Sequence, residues 1–114
     1  MAVRYEIILD SPLGQRPGAL TLREEGGQVR GTLVLLGFDN PVDGRRDGPL
    51  LRLRHTLRTR VSRLECETTL RPEADGALLG TVQVGATCMD LRGRKLPDDT
   101  SERMKHTYEP EYRP

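Results

Sequence analysis

Two side chains that could take part in acid–base or nucleophilic chemistry lie near the centre of the sequence, His55 and Cys66. An imidazole titrates near neutral pH, and a neighbouring thiol can lose its proton to become a nucleophile. The pair can react in this way only if the two groups lie within about 3–4 Å of each other. Their separation depends on the elements that carry them.

Around both residues, apolar and charged positions alternate with the period of two that is typical of a half-buried β-strand. In residues 51–55 the odd-numbered positions are Leu, Leu and His, and arginines occupy the even-numbered ones. In residues 64–70 the even-numbered positions are Leu, Cys, Thr and Leu, with Glu65, Glu67 and Thr69 between them. The alternation therefore predicts that His55 and Cys66 both face the interior.

The turns that join these strands predict which residues face each other. Asp47-Gly48 is a strong hairpin signal because both residues tolerate positive φ, and a second reversal is expected at residues 58–61. The resulting register sets Leu53 opposite Cys66, which makes His55 and Cys66 diagonal neighbours at best. We therefore expect a hydrogen-bonded core histidine and a small buried cysteine rather than a catalytic pair.

On the outer face, the same register predicts a ladder of opposite charges. Arg52 would lie between Asp43 and Glu67, and Arg54 would lie opposite Glu65. Such pairs contribute roughly 0.2–1 kcal/mol each, so they support the register more than the stability. Five arginines have no predicted partner: Arg45, Arg46, Arg58, Arg60 and Arg63. A basic rim that binds anions or nucleic acid is the less favoured alternative, because no exposed aromatic residue is expected beside it.

The alternation continues along the chain and predicts eight strands and no amphipathic helix. We expect them at residues 3–9, 19–24, 29–36, 42–44, 51–55, 64–70, 78–84 and 87–91, with a long turn at 11–18. Eight sequential strands can close by pairing the first with the last, which removes the exposed edges. The predicted fold is all-β, an eight-stranded antiparallel up-and-down meander closing into a small barrel; an open sandwich is the alternative.

This pattern divides the chain into a barrel domain over residues 1–96 and a polar C-terminal tail over residues 97–114. Asp98 or Asp99 could cap a short helix that runs to His106. A tail without a functional role is the favoured interpretation.

Composition limits the class of protein. The 114 residues include 18 basic and 17 acidic side chains, a net charge of +1. That balance argues against a general nucleic-acid-binding protein. No run approaches the roughly 20 apolar residues of a membrane span, and the N-terminus lacks the apolar core of a signal peptide. We therefore expect a cytoplasmic protein with no nucleic-acid or membrane partner.

Six inward side chains are expected to line any cavity in the barrel. They are Tyr5, Leu33, His55, Cys66, Thr68 and Met89. The set contains no carboxylate, so it favours binding of a small apolar or amphipathic molecule, or of a protein partner, over catalysis. We assign no catalytic residue; an isomerase or cyclase with His55 as its base is the alternative.

Three glycines, Gly31, Gly44 and Gly80, are also expected to face inward. A glycine there either lets the strands coil sharply or leaves room for a ligand, and coiling is the favoured interpretation.

No metal or cofactor is expected from the residue types. The second histidine, His106, lies in the tail, and Cys66 and Cys88 lack metal-ligand spacing. Cys88 is predicted to point outward, opposite Gln83, on a strand that does not adjoin that of Cys66. We therefore expect no disulfide.

Apolar residues are also expected on the outer face of the first and third strands. They are Ile8, Val34 and Leu36, with Thr21 and Arg23 forming a polar centre between them. Such a patch favours a homodimer.

Several short stretches resemble small bacterial barrels of the calycin kind, which include lipocalins and fatty-acid-binding proteins. They are Ser11-Pro12-Leu13-Gly14, Gly31-Thr32-Leu33 with Gly80-Thr81-Val82, and Leu35-Leu36-Gly37 followed by Asn40-Pro41. The resemblance covers residues 3–96 and implies an up-and-down barrel with a small apolar ligand and no catalytic residue. The tryptophan of the lipocalin signature and the helical lid of the fatty-acid-binding proteins are absent, which argues against a bulky lipid.

Overall fold

A computed structural model describes residues 2–97 as one closed antiparallel barrel. Its eight strands are β1 (Ala2–Ser11), β2 (Gly14–Glu25), β3 (Gln28–Leu35), β4 (Phe38–Asp47), β5 (Leu50–Arg58), β6 (Arg63–Pro72), β7 (Ala77–Val84) and β8 (Thr87–Lys95). Each strand pairs with the next, and β1 pairs with β8. The predicted all-β meander and its closure are confirmed. The predicted tail helix lies outside the described residues, and the domain boundary stays a prediction.

The first connection is much shorter than predicted. Residues 11–18 were expected to form one long turn, but only Pro12 and Leu13 connect β1 to β2. The ladder runs without a break from Ser11 opposite Gly14 to Ile7 opposite Gly18. Backbone pairing across this ladder outweighs the turn preference of the glycines and prolines.

The registers on both sides of β5 differ from the predicted ones by two residues. The β4–β5 turn is Gly48-Pro49, with Gly48 at a φ of 61° and Asp47 opposite Leu50. His55 consequently lies directly opposite Cys66, not diagonal to it. Because side chains alternate with a period of two, this shift leaves every residue on its predicted face.

The charged residues of the predicted outer ladder do point outward, but the predicted ion-pair partners are wrong. Arg52 points outward, and its Nε lies 2.8 Å from Asp47 Oδ2. Arg54 lies 3.8 Å from Glu67, while Asp43 pairs with Arg30 at 3.9 Å. All these side chains are more than half exposed, so each pair stabilises the fold by less than about 1 kcal/mol.

The interior is filled by aliphatic side chains from all eight strands. The largest fully buried ones are Ile7, Val29, Leu35, Leu70, Leu78 and Val82, together with the amide of Asn40. Alternate residues of each strand supply this core, as the sequence pattern predicts.

The inward glycines lie where neighbouring strands approach closely. A Cβ on Gly31, Gly44 or Gly80 would collide with a backbone oxygen of the adjacent strand, at Thr21, Arg52 and Thr69 respectively. These glycines therefore let the sheet coil tightly enough to close, in agreement with the favoured interpretation.

Candidate functional site: an apolar mouth

The two ends of the barrel are built from different turns. Consecutive antiparallel strands reverse direction, so the β1–β2, β3–β4, β5–β6 and β7–β8 turns all meet at one end, which we call the mouth. The β2–β3, β4–β5 and β6–β7 turns form the other end, which we call the closed end. The candidate site is at the mouth.

The mouth contains a pocket of about 610 Å³. Its floor is made by side chains at the ends of the strands: Leu9, Leu57, Leu64, Val84 and Met89. Its rim includes residues of the turns, among them Leu13, Leu36 and Val61, and the basic side chains of Arg16 and Arg60. The pocket thus presents an apolar base with positive charge at its edge.

Three large apolar side chains at the rim are exposed. Leu13 is 84% exposed, Val61 92% and Leu36 43%. Single exposed apolar residues are ordinary, but these three occupy three turns at the same end of the barrel. Their convergence marks the mouth as a contact surface.

The backbone of Leu36 is in an unfavourable conformation. Its φ is 57°, and the following Gly37 has a φ of 83°. A two-residue turn of this form suits the twist of a hairpin, but Asn or Gly is the usual first residue. A leucine in the left-handed region costs about 1–2 kcal/mol. Strain of this kind often accompanies a functional side chain.

Charge also separates the two ends. The mouth turns with one flanking residue on each side (11–14, 35–38, 58–63 and 84–87) contain Arg58, Arg60 and Arg63 and no acidic residue, a net of +3. The turns of the closed end, counted in the same way (25–28, 47–50 and 72–77), contain Glu25, Asp47, Glu73 and Asp75 and no basic residue, a net of −4.

The charges at the closed end are partly neutralised by ion pairs, whereas those at the mouth are not. Asp47 is paired with Arg52, and Glu73 with Arg71 at 3.3 Å. None of the three mouth arginines forms an ion pair with another residue in 2–97. Their charge is therefore free to attract an anion.

An ion pair covers the closed end. Arg46 and Glu24 occupy inward positions at the ends of β4 and β2, and Arg46 Nε lies 2.6 Å from Glu24 Oε2. Arg46 is close enough to the buried Tyr5 for its charge to oppose the rise that burial causes in the pKa of that phenol. Arg46 had no predicted partner, although its even number places it inward beside Val42 and Gly44.

Near the mouth, the wall between β4 and β5 is interrupted. Their ladder ends where Val42 faces His55, leaving residues 38–41 and 56–58 without backbone pairing to each other in the described chain. Pro41 stands at this point and has no N–H to donate. We call this interruption the seam.

The side chain of Asn40 closes the seam. Its Nδ2 donates to Leu33 O at 3.1 Å and to Phe38 O at 3.3 Å, and its Oδ1 accepts from Arg58 N at 3.0 Å. Asn40 is completely buried. Only the bond from Arg58 N crosses from β5 to β4, and the other two hold the amide against β3 and its own strand.

Arg58 is held in place at the seam. Its guanidinium donates to Asp39 O, and its Cζ lies 5.7 Å from the centre of the Phe38 ring. Such a cation–π contact adds to the orientation of the side chain.

His55 and Cys66 are buried on neighbouring strands, where burial favours the neutral form of each side chain. His55 Nε2 lies 2.7 Å from Thr68 Oγ1, while Nδ1 has no partner among the described residues. Burial lowers the pKa of His55, partly offset by Glu65, and burial raises the pKa of Cys66. A neutral thiol is a poor nucleophile, so this pair lacks the charge state that thiol catalysis needs.

The six predicted lining residues are all buried in the barrel. Tyr5, Leu33, His55, Cys66, Thr68 and Met89 are each at most 8% exposed. Met89 also lines the mouth pocket. Contact of a ligand with these residues stays a prediction.

The tips Leu13 and Val61 were missed because each falls in a stretch read only as a turn. The alternation of strand direction provides a signal that could have found them, since every second turn shares an end. Large apolar residues in the first, third and fifth turns therefore point to one surface.

The residues predicted for a homodimer lie partly elsewhere. Leu36 belongs to the β3–β4 turn and lines the mouth, so it is not on the outer face of a strand. Ile8 faces Pro17, and Val34 faces Ala19. The centre of the outer patch is therefore apolar, not the predicted pair of Thr21 and Arg23.

Both cysteines are free, Cys66 buried and Cys88 exposed opposite Gln83, as predicted. Among residues 2–97 there is no helix long and apolar enough to cross a membrane. A scan against protein-family models found no match, and neither did searches of curated proteins and of solved structures.

Proposed function

We propose that this protein is a non-catalytic barrel that binds a small amphipathic molecule at its mouth. The observation that carries the proposal is the pocket itself, an apolar floor with arginines at the rim. The apolar part of a ligand would cover Leu57, Leu64 and Met89. An anionic group would lie near Arg16 or Arg60. Few polar groups at the edge of an apolar cavity are typical of small-molecule sites.

Binding is favoured over catalysis by the surroundings of His55, the histidine within the described residues. His55 already bonds Thr68, and desolvation opposes its protonation. The floor of the mouth carries no carboxylate, histidine or cysteine. A site without convergent acid–base groups is better suited to holding a molecule than to transforming it.

An enzyme with His55 as its base is the second candidate. The observation in its favour is the unpartnered Nδ1 of His55, together with a groove at the seam lined by His55, Thr56 and Arg58. A substrate would need to enter through the seam. Replacing His55 with Gln would abolish such an activity and leave binding at the mouth unchanged.

Three finer assignments belong to the proposal. The closed eight-stranded meander supports kinship with calycin-like barrels. The two free thiols support a location in the reducing cytoplasm. The outer patch of Ile8, Pro17, Ala19 and Val34 supports a homodimer as the form that binds a ligand or a protein partner.

The binding proposal is tested with 1-anilinonaphthalene-8-sulfonate, which combines aromatic rings with one negative charge. Val84 is half-buried at the pocket, so Val84→Trp should fill it and weaken binding at least about tenfold, measured by calorimetry. Leu79→Trp on the outer wall, where the side chain is 50% exposed, is the matched control. Equal affinities in both variants, with circular dichroism unchanged, would exclude the mouth as the site.

A further inference from the structure

We propose that the mouth is also a peripheral docking surface for an anionic lipid bilayer, with Leu13, Leu36 and Val61 entering its interfacial region. This inference goes beyond binding of a small molecule. It departs from the expectation of no membrane partner, which was based on the absence of an apolar run long enough to span a bilayer. In peripheral docking, only side chains at the turn tips would leave the water.

The first reason is the exposure of the tips. Leu13 and Val61 are 84% and 92% exposed, so the pocket shelters very little of them. A small ligand on the pocket floor would leave both side chains in water. A layer wider than the barrel would cover all three tips at once. Apolar side chains that enter a bilayer to a shallow depth bind in proportion to their buried area.

The second reason is charge complementarity. Arg58, Arg60 and Arg63 flank Val61 in the β5–β6 segment, and the mouth segments contain no acidic residue. Arginines beside apolar tips would reach the phosphate level while the tips enter the region below it. Each cation near an anionic surface adds to the attraction, which falls off with salt.

The third reason is orientation. The turn segments of the opposite end carry Glu25 and Asp75, which form no ion pair with another residue in 2–97 and which an anionic surface would repel. The charge difference between the ends therefore turns the mouth toward such a surface before contact.

A second copy of the chain fits this surface less well. Two mouths facing each other about a two-fold axis would bring six arginines together, three from each copy, and like charges oppose that contact. A mouth against a closed end would have compatible charges, but much of the acidic charge there is already paired with arginines. Such a head-to-tail contact would produce open chains of molecules.

Co-sedimentation with vesicles tests the proposal. One set of vesicles is phosphatidylcholine alone, and the other is equal parts phosphatidylcholine and phosphatidylglycerol. The full chain should bind the anionic set at least about tenfold more tightly, and salt should weaken this binding.

Paired variants separate the two contributions. Two double variants should each reduce vesicle binding at least about tenfold. One replaces the apolar tips (Leu13→Ser with Val61→Ser), and the other reverses the charge beside them (Arg60→Glu with Arg63→Glu). Leu79→Ser and Arg45→Glu, both exposed residues away from the mouth, are the matched controls and should bind as the wild type does. Circular dichroism checks that every variant is folded.

The two proposals can fail separately. Val84→Trp, on the pocket floor, should lose the small-molecule probe and keep vesicle binding, because it leaves the three tips and the mouth arginines in place. Docking is overturned if the wild type binds neither vesicle set, or if the mouth variants bind as the controls do. It is also overturned if light scattering without lipid shows concentration-dependent chains that the same variants abolish.

Discussion

Arg46 holds Glu24 with two side-by-side hydrogen bonds, Nε to Oε2 at 2.6 Å and Nη2 to Oε1 at 3.1 Å. The pair joins the ends of β4 and β2 over the closed end. Hydrogen bonding by Arg46 lowers the pKa of Glu24, and the same contact raises the pKa of Arg46. At the closed end the arginine is thus neutralised by a carboxylate, whereas the arginines of the mouth segments form no ion pair with another residue in 2–97.

The Glu24 pair should make stability depend on pH in the acidic range. A carboxyl with a lowered pKa stabilises the fold above its unfolded value of 4.5, and that contribution disappears as the pH falls through the folded pKa. Both partners are more than a third exposed, so Glu24→Gln should cost at most about 1 kcal/mol at pH 7. Urea unfolding should show this difference vanish well below pH 4.5. A constant difference at every pH would show that the ion pair is not its cause.

His55 should produce a second pH dependence at higher pH. Its folded pKa lies below the ordinary 6.5, so the unfolded chain takes up a proton first. Stability from this group is complete above pH 6.5 and should decline as the pH falls from there toward the folded pKa. His55→Gln should remove this part of the urea-unfolding profile.

Thr68→Val is the partner test for the buried histidine. It leaves His55 Nε2 without its hydrogen bond and should cost about 1–3 kcal/mol at neutral pH. Thr69→Val, on the outward face beside it, is the matched control and should change the unfolding free energy by less than about 0.5 kcal/mol. Equal costs for the two valines would show that the contact between His55 and Thr68 contributes nothing.

Leu36 should lower the stability of the barrel relative to Asn at this position, and it should strengthen binding to anionic vesicles. Leu36→Asn tolerates the left-handed backbone and should stabilise the barrel by about 1 kcal/mol in urea unfolding. It should also weaken sedimentation with anionic vesicles because an apolar tip is lost. Leu36→Ala, which loses the tip but keeps the strain, should weaken binding without the gain in stability. A loss of stability in the asparagine variant would contradict the strain argument.

The outer patch provides a test of assembly. Val34→Glu would place a charge at the β3 edge of the strip formed with Ile8, Pro17 and Ala19. If that strip forms a two-fold interface, light scattering should give the mass of two chains for the wild type and of one chain for the variant. Leu79→Glu on β7 is the control. A monomeric wild type would make these residues ordinary exposed side chains.

The fold could be predicted because alternation fixes which face each residue takes. His55, Cys66 and Thr68 are buried as expected even though both neighbouring registers were wrong. A shift of two residues preserves the facing of every side chain, so the pattern cannot distinguish Asp47-Gly48 from Gly48-Pro49 as the turn. The same ambiguity holds for the β5–β6 turn, which sets Arg54 opposite Glu67, so that pair was missed.

The mouth could be predicted only in part. Met89 was named as a lining residue, but Leu13 and Val61 fall in stretches whose glycine, proline and polar residues indicate turns. Asn40 lies between Asp39 and Pro41 and was taken as part of a loop. Its role in the wall depends on contacts with Leu33 and Arg58, which come from elsewhere in the chain and leave no local signal.

The closed barrel of residues 2–97 has no edge strand, but its wall is weakly paired at the seam. Parting β4 from β5 near the mouth breaks the bond from Arg58 N to Asn40, the contact of Arg58 with Asp39 O and few others among the described residues, so it is a low-cost local opening of the wall. Two short strand edges would then be exposed, and such edges pair readily with those of another molecule. We therefore expect the seam at Asn40 to be one place where exchange of strands between chains, and the aggregation that follows from it, begins.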